Sequence, residues 1–291
     1  MATPFFNEKI VFQAGTEGYR SYRIPAVIKA PNGHLLAFAE GRFRGDHENV
    51  DIVMKRSTDN GNTWGNLVVI WGDQFSDDTT FGNPCPVVDE DTGTIWLPFC
   101  KDTFEVWITK STDNGNNWVT PYNITDQVKN PNWAWGQEPD RVIWTGPGIG
   151  IQIKQGSCAG RLVIPCHFQP FPQGQPAGVQ NNRMWVFYSD DHGQTWNYPP
   201  LSELGNESQV VELSNQDLML NGRNENRLGG EPIRRLTATS SNCGVNFTDS
   251  IVDDELIEPV CQASILRYSF GSGEDNLILF SNPASATRDH M

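Results

Sequence analysis

The chain contains 291 residues, 37% of them hydrophobic, with ten tryptophans and fifteen phenylalanines, so one domain over 1–291 can bury a large core. Its formal net charge of −14 argues against nucleic acid and anionic membranes as partners, because both would repel an acidic protein. No run of about eighteen apolar residues occurs, and the N-terminal residues do not resemble a secretory signal, so no membrane span is expected and the compartment stays open.

Short β-type segments recur along the whole chain, each bounded by glycine, proline, asparagine or aspartate. In chain order they are AVIKA, HLLAFAE, DIVMKRS, LVVIW, TIWLPF, VWITKS, GIQI, RLVIP, MWVFYS, SQVVEL, DLMLN, SILRYSF and NLILFS. Long segments with helical periodicity are absent, and no linker or low-complexity stretch divides the chain. The sequence therefore predicts a single all-β domain, built as a sandwich, a barrel or a propeller.

A pattern of the form S-x-D-x-G-x-x-W follows three of these segments, at residues 57–64, 111–118 and 189–196. Its aspartate can accept backbone N–H bonds across a turn, its glycine can adopt a left-handed conformation, and its tryptophan can pack beneath the turn. A calcium loop is the alternative, but Ile70 stands at the twelfth position counted from Asp59, where such a loop needs an acidic ligand. The repeat therefore predicts the blades of a β-propeller.

The six cysteines include no C-x-x-C pair, which argues against zinc ribbons and thioredoxin-like redox motifs. Cys85, Cys100 and Cys166 lie within or beside apolar segments, so we expect them to be buried free thiols. Cys243 and Cys261 could form a disulfide in a secreted protein, and the sequence leaves this pairing open.

The three repeats, together with YRIP at 22–25, resemble the exo-α-sialidases, which are six-bladed β-propellers. Further segments resemble that family in the family's order, among them LLAFAEGR (35–42), NPCPVVDEDTGTIWLPF (83–99), LNGRNEN (220–226) and FSNPASATR (280–288). The amino-acid sequence of these segments is most similar to that of animal lysosomal and cytosolic members. The resemblance implies a retaining exo-α-sialidase that releases sialic acid from glycoproteins, glycolipids or oligosaccharides without a metal or an organic cofactor. The alternatives are a non-catalytic sialic-acid-binding propeller and a trans-sialidase.

The resemblance also implies a set of arginines that bind the substrate. Arg23, Arg223 and Arg288 match the three arginines that hold the sialic acid carboxylate, and Arg42 matches the arginine beneath the ring substituents. A guanidinium group can grip a carboxylate through two parallel hydrogen bonds. Several converging arginines would therefore let this acidic protein bind an acidic sugar.

Two carboxylates carry the catalytic roles that the resemblance implies. Asp46 matches the acid/base residue, with Glu48 and Asp51 as alternatives in the same loop. Glu207 matches the glutamate that pairs with the nucleophile.

Two further residues are candidates for the pocket wall. His167 lies where some members carry tyrosines that touch the sugar, and a packing role is its alternative. Glu105 is a candidate for the floor beneath the glycerol or N-acyl side chain.

The nucleophile in this family is a tyrosine near the C-terminus, an exception among retaining glycosidases. A neutral phenol is favoured because the anomeric carbon already carries a carboxylate that would repel a second anion. The chain stops at Met291, three residues past Arg288, and none of its six tyrosines stands in the matching place. We therefore expect a chain without its C-terminal strands, with an incomplete last blade and no turnover of its own.

Overall fold

The computed structural model of the chain describes residues 8–45, 48–72, 79–131, 142–169, 182–200 and 203–288. Over these ranges the protein is built from antiparallel β-sheets, and the α-helix α1, Thr125–Val128, is a single turn. Within the same ranges, no helix has the length and apolar character that crossing a membrane requires.

The first two sheets follow one another along the chain. Sheet 1 has the strand order β1-β2-β3-β4, and sheet 2 has the order β5-β7-β8-β9 with β6 also paired to β7. Sheet 1 consists of β1 Ser21–Lys29, β2 Leu35–Arg42, β3 Val50–Ser57 and β4 Val68–Trp71. Sheet 2 consists of β5 Phe81–Gly82, β6 Val87–Asp89, β7 Thr94–Lys101, β8 Glu105–Ser111 and β9 Tyr122–Asn123.

The remaining sheets repeat this arrangement. Sheet 3 has the order β10-β12-β13-β14 with β11 on β12, sheet 4 has the order β15-β16-β17-β18, and sheet 5 pairs β19 with β20. Sheet 3 consists of β10 Val142–Thr145, β11 Ile151–Gln152, β12 Leu162–Gln169, β13 Arg183–Ser189 and β14 Glu203–Leu204. Sheets 4 and 5 consist of β15 Ser208–Glu212, β16 Leu218–Gly222, β17 Arg234–Ser240, β18 Ile251–Ile257, β19 Ser264–Ser269 and β20 Leu277–Ser281.

The hydrophobic core lies between neighbouring sheets. Because successive strand residues point to opposite faces, one strand can supply two cores. In β13, Trp185 and Phe187 face the core shared with sheet 2, while Met184 and Val186 face the core shared with sheet 4. Four sheets of four or five strands packed face to face in this way are propeller blades, and the prediction of an all-β propeller is confirmed. Within the described residues, the β19–β20 hairpin contributes two strands of a fifth blade.

The repeated motif forms the same turn in each of its three copies. In the first copy the Ser57 hydroxyl donates to Asp59 Oδ1 at 2.8 Å and accepts the Gly61 N–H at 2.8 Å. Asp59 then accepts the Thr63 N–H at 2.9 Å and the Thr63 hydroxyl at 2.7 Å. These hydrogen bonds lower the pKa of Asp59 to about 2. The glycine has φ of 84°, as predicted, so the motif is a self-contained hairpin turn.

A fourth copy of this turn was not recognised in the sequence. The Ser240 hydroxyl donates to Asn242 Oδ1 at 2.9 Å and accepts the Gly244 N–H, and Asn242 Oδ1 accepts the Asn246 N–H. Asparagine replaces the aspartate, and Phe247 stands in the place of the tryptophan. The turn survives because an amide oxygen accepts the same backbone N–H groups as a carboxylate.

The cysteine predictions are confirmed for the free thiols and corrected for the disulfide. Cys85, Cys100 and Cys166 are buried and unpaired in the structure. Cys243 forms a disulfide with Cys158, 85 positions away, and the pairing of Cys243 with Cys261 is wrong. The fourth turn carries Cys243 to the edge of sheet 3, whereas Cys261 is buried beside sheet 4.

Candidate active site

A polar cavity of about 270 Å³ opens at one end of the blades. Its walls come from sheets 1 to 4 and from the loops beside their strand ends. The charged and aromatic side chains that line it are Arg23, Glu40, Arg42, Trp144, His167, Glu207, Arg223 and Glu225. The polar side chains that complete it include Thr80, Asn83, Asn182 and Asn206. A protein with an acidic surface thus gathers three arginines in one concave site.

Arg23 reaches the cavity from a distorted part of β1. The pairing of β1 with β2 shifts register between Arg23 and Ala26. Ile24 has φ of 55°, a strained conformation for a β-branched residue, and Pro25 cannot donate to the strand ladder. A bulge of this kind re-aims a side chain out of the regular alternation, which explains why the YRIP segment serves the site.

Arg42 lies at the end of β2 and is held by Glu40. Its Nε donates to Glu40 Oε2 at 2.7 Å, and both side chains are buried. The other Glu40 oxygen accepts the Asn83 N–H at 2.8 Å. Burial raises the pKa of Glu40, and the Arg42 charge and the Asn83 N–H oppose that rise. Sequence analysis missed Glu40, although residues two apart on one strand share a face, which makes it a natural partner of Arg42.

Glu207 and Arg223 face each other across the β15–β16 hairpin. Just beyond the last ladder pair, the Arg223 N–H donates to the Glu207 carbonyl at 2.9 Å. The side chains then meet, with Arg223 Nη1 donating to Glu207 Oε2 at 2.9 Å. Arg223 also forms an ion pair with Glu225, a residue that sequence analysis missed. Cross-strand pairing therefore places a carboxylate and a guanidinium group side by side at the cavity wall.

His167 forms part of the wall in a defined tautomer. Its ring stacks on Trp144, with centroids 4.9 Å apart and planes 14° apart. Its Nδ1 lies 3.1 Å from the Gly146 carbonyl oxygen, which can only accept, so Nδ1 carries the proton. Burial lowers the pKa of His167 to about 4, although the Glu207 charge opposes this shift. The imidazole is therefore neutral and keeps a free lone pair on Nε2.

This neutral histidine should make the fold sensitive to acid. The unfolded chain binds a proton near the ordinary pKa of about 6.5, whereas folded His167 resists it until pH 4, so stability falls as pH drops through this window. Between pH 7 and pH 5 we expect about 2 kcal/mol of loss from this residue alone. Urea unfolding of wild type and His167→Asn at both pH values measures it. An equal pH loss in the variant would contradict the assignment.

The structure brings some predicted residues together and leaves others apart. Arg23, Arg42, His167, Glu207 and Arg223 line the cavity. Glu105 accepts the Trp107 indole N–H at 2.8 Å and borders a separate cleft beside α1. Its role in the pocket floor stays a prediction.

Arg288 lies outside the cavity lining. Its Nη2 donates to the Val260 carbonyl at 2.6 Å, and its Nε donates to the Pro259 carbonyl at 3.2 Å. Its carboxylate-binding role stays a prediction.

The acid/base candidate Asp46 lies outside the described residues. Of its two alternatives, Asp51 is fully buried and accepts the Tyr19 hydroxyl at 2.7 Å, beneath the first blade. Glu48 is exposed. Neither of these two side chains lines the cavity.

Among the described residues, one group of potential metal ligands is found, and it lies outside the cavity. Oxygen and nitrogen atoms of Asp89, Asp91 and His192 lie within 4.8 Å of one another. The buried Asp89 carboxylate already accepts hydrogen bonds from Gln152 Nε2 at 3.0 Å, from the Thr92 hydroxyl and from His192. This network links the β6–β7 turn to the third repeat and explains these residues as a structural contact.

Comparison with known proteins finds sialidases among the relatives of this chain. The family described as "BNR repeat-like domain" matches residues 33–291. A sialidase of Micromonospora viridifaciens is 32% identical, and the alignment covers 98% of this chain and 45% of that protein. Sialidase-2 of Cricetulus griseus is 28% identical over 99% of this chain and 80% of its own length. The chain spans about half the length of the bacterial relatives it matches.

Solved structures agree with the sequence relatives. The Hadza microbial sialidase Hz136 superimposes with a TM-score of 0.77 at 28% identity, covering 94% of this chain and 55% of that one. The structural similarity thus extends over nearly the whole of this chain.

Proposed function

The chain belongs to the sialidase family of BNR-repeat propellers, and on that premise we propose that its cavity binds terminal sialic acid and supplies the binding arginines and Glu207 of a retaining exo-α-sialidase that acts on sialylated glycans. The observation that carries the proposal is the convergence of Arg23, Arg42 and Arg223 beside Glu207 in one cavity. No metal and no organic cofactor is part of the proposed reaction.

The charge balance of the cavity suits an anionic sugar. Three guanidinium groups and the carboxylates of Glu40, Glu207 and Glu225 line the site, so it is nearly neutral when empty. The net charge of −14 elsewhere would repel an anion that approached the general surface. A ligand carboxylate is therefore stabilised only where the arginine forks converge. This arrangement favours a substrate with one carboxylate and several hydroxyl groups.

Glu207 is placed to take part in the chemistry. Glu207 is held by Arg223 at 2.9 Å and is only partly buried, so it can accept a proton from a nucleophile placed against it. We assign the role of nucleophile to a tyrosine phenol. We assign Asp46 as the acid that protonates the leaving oxygen. In a retaining reaction the phenol attacks the anomeric carbon, and water then releases the sugar with Asp46 as base.

Replacing Arg223 with lysine tests the binding half of the proposal. The variant keeps the charge but loses the planar fork, so affinity for free sialic acid, or for its unsaturated 2-deoxy analogue, should fall by roughly 1.5–3 kcal/mol. Calorimetric titration of both proteins gives the difference.

The matched control is Arg161→Lys, since Arg161 holds Asp190 through two bonds of 2.7 and 2.9 Å away from the cavity. This control should bind as wild type does. Equal affinities for wild type and the Arg223 variant would remove Arg223 from the site.

A further inference from the structure

Behind the cavity, Arg235 and Glu258 form an ion pair that the proposed function does not use. Arg235 lies in β17, and Glu258 follows the end of β18. Their side chains are completely buried, with Arg235 Nη1 2.6 Å from Glu258 Oε2. Burying two charges costs desolvation that their attraction rarely repays, so such a pair is weak evidence for stability. The role of the Arg235–Glu258 pair follows instead from the groups that it holds in place.

Arg235 uses its other donors to join two segments. Its Nε donates to Asn221 Oδ1 at 2.7 Å and its Nη2 to the Asn221 carbonyl at 3.2 Å. Its Nη1 also donates to the Cys261 carbonyl at 2.6 Å. Asn221 lies two residues before Arg223 on β16. The guanidinium group therefore fixes the strand that leads into Arg223 against the chain that follows β18.

Glu258 holds the residue on the other side of Arg223. Its Oε1 accepts the Asn224 N–H at 2.5 Å. The buried Asn224 side chain in turn accepts the Leu228 N–H and donates to the Leu228 carbonyl, each at 2.9 Å. The Arg235–Glu258 pair thus restrains the backbone both before and after Arg223.

The same segment also contacts Arg288. The carbonyl oxygens of Pro259 and Val260 accept hydrogen bonds from the Arg288 guanidinium group, at 3.2 and 2.6 Å respectively. Val260 has φ of 58°, which is strained for a β-branched residue. Such strain persists where the surrounding contacts hold the backbone firmly. Residues 258–261 therefore contact both the segment that carries Arg223 and the side chain of Arg288, and we call these four residues the bracket.

We propose that Arg235 and Glu258 are positioning residues for carboxylate recognition, and that their buried pair sets the bracket on which Arg223 and Arg288 are aligned. The inference rests on the proposed function, because it takes Arg223 as a carboxylate ligand. A carboxylate at position 258 is required, since its two oxygens serve Arg235 and the Asn224 N–H at the same time. A glutamine offers an acceptor at one of these two places only, and its amide NH₂ would face the other donor.

The test compares two probes, the unsaturated 2-deoxy analogue of sialic acid and its methyl ester. Wild type should bind the acid more tightly than the ester, because only the acid offers a charged partner to the arginines. Glu258→Gln should weaken binding of the acid roughly tenfold to a hundredfold, as expected for misplaced binding groups, and leave binding of the ester unchanged. Titration calorimetry gives the acid-to-ester ratio, and thermal melts report folding.

A second variant and a control separate positioning from stability. Arg235→Met combined with Glu258→Leu replaces the pair with apolar groups of similar volume, which buried sites often tolerate. It should also lose the acid-to-ester preference, and it is measured whether or not Glu258→Gln folds. Leu218→Ala, a core change at the far end of β16, should melt earlier yet keep the preference.

The outcomes distinguish two failures. Equal binding of acid and ester by wild type would overturn the proposed function, and this inference with it. A wild-type preference for the acid that persists in the folded Glu258 variants would reject the positioning role alone.

Discussion

Replacing Trp196 with alanine should lower the free energy of unfolding by about 3–5 kcal/mol, the typical cost of removing a large aromatic side chain from a core. Trp196 ends the third repeat and is 3% exposed. Its ring packs edge-to-face against Phe187 at 5.2 Å and Trp96 at 6.1 Å, and so joins sheets 2 and 3. Urea unfolding of wild type and variant measures the loss.

The other repeats supply a graded control. Trp64 and Trp118 occupy the same position of the motif but are only partly buried, so their alanine variants should lose less stability. All three variants should bind the unsaturated sialic acid analogue as wild type does, because none of these rings lines the cavity. A Trp196 variant that unfolds normally but no longer binds would show that the repeat acts in recognition instead.

The propeller could be predicted from the sequence because its defining turn is local. Ser189, Asp191 and Gly193 lie within five residues, and their hydrogen bonds depend on little else. The fourth turn could not be predicted from the S-x-D-x-G-x-x-W pattern, because its sequence has asparagine and phenylalanine in place of aspartate and tryptophan. The structure needs only an acceptor at Asn242 and an aromatic ring at Phe247.

The cavity could be predicted in part. Arg23, Arg42, Glu207 and Arg223 lie in segments that resemble the family, and the blades bring them to one end. Glu40 was not predicted because its place in the site depends on its contacts with Arg42 and with the Asn83 N–H, which form only in the folded protein.

Long-range partners could not be read from the sequence. The disulfide of Cys158 with Cys243 depends on how sheet 3 packs on sheet 4. The pairing of Arg235 with Glu258 depends equally on the register of β17 and β18, whose ladder shifts between Arg234 and Leu236.

The 291-residue chain should bind a fluorogenic aryl sialoside without turning it over. Turnover by the proposed mechanism needs a phenol against Glu207, and no described residue that lines the cavity is a tyrosine. Tyr19 donates its hydroxyl to Asp51 and Tyr22 donates to the Thr16 carbonyl, and burial raises the pKa of both phenols. Fluorescence release over hours, with binding followed in parallel, measures the result. Robust turnover by this chain would mean that another residue is the nucleophile.

Placing a phenol beside Glu207 should produce turnover. Joining a tyrosine-bearing C-terminal segment from a sialidase relative to this chain should produce turnover, and Glu207→Gln in that fusion should reduce kcat by about 10²–10⁴-fold. The loss arises because an amide cannot take the phenolic proton as the bond to the anomeric carbon forms. Affinity for the sialic acid analogue should change far less, since Arg23, Arg42 and Arg223 remain in place. A fusion that turns over equally well with glutamine at position 207 would exclude Glu207 as the base, while leaving the arginine site intact.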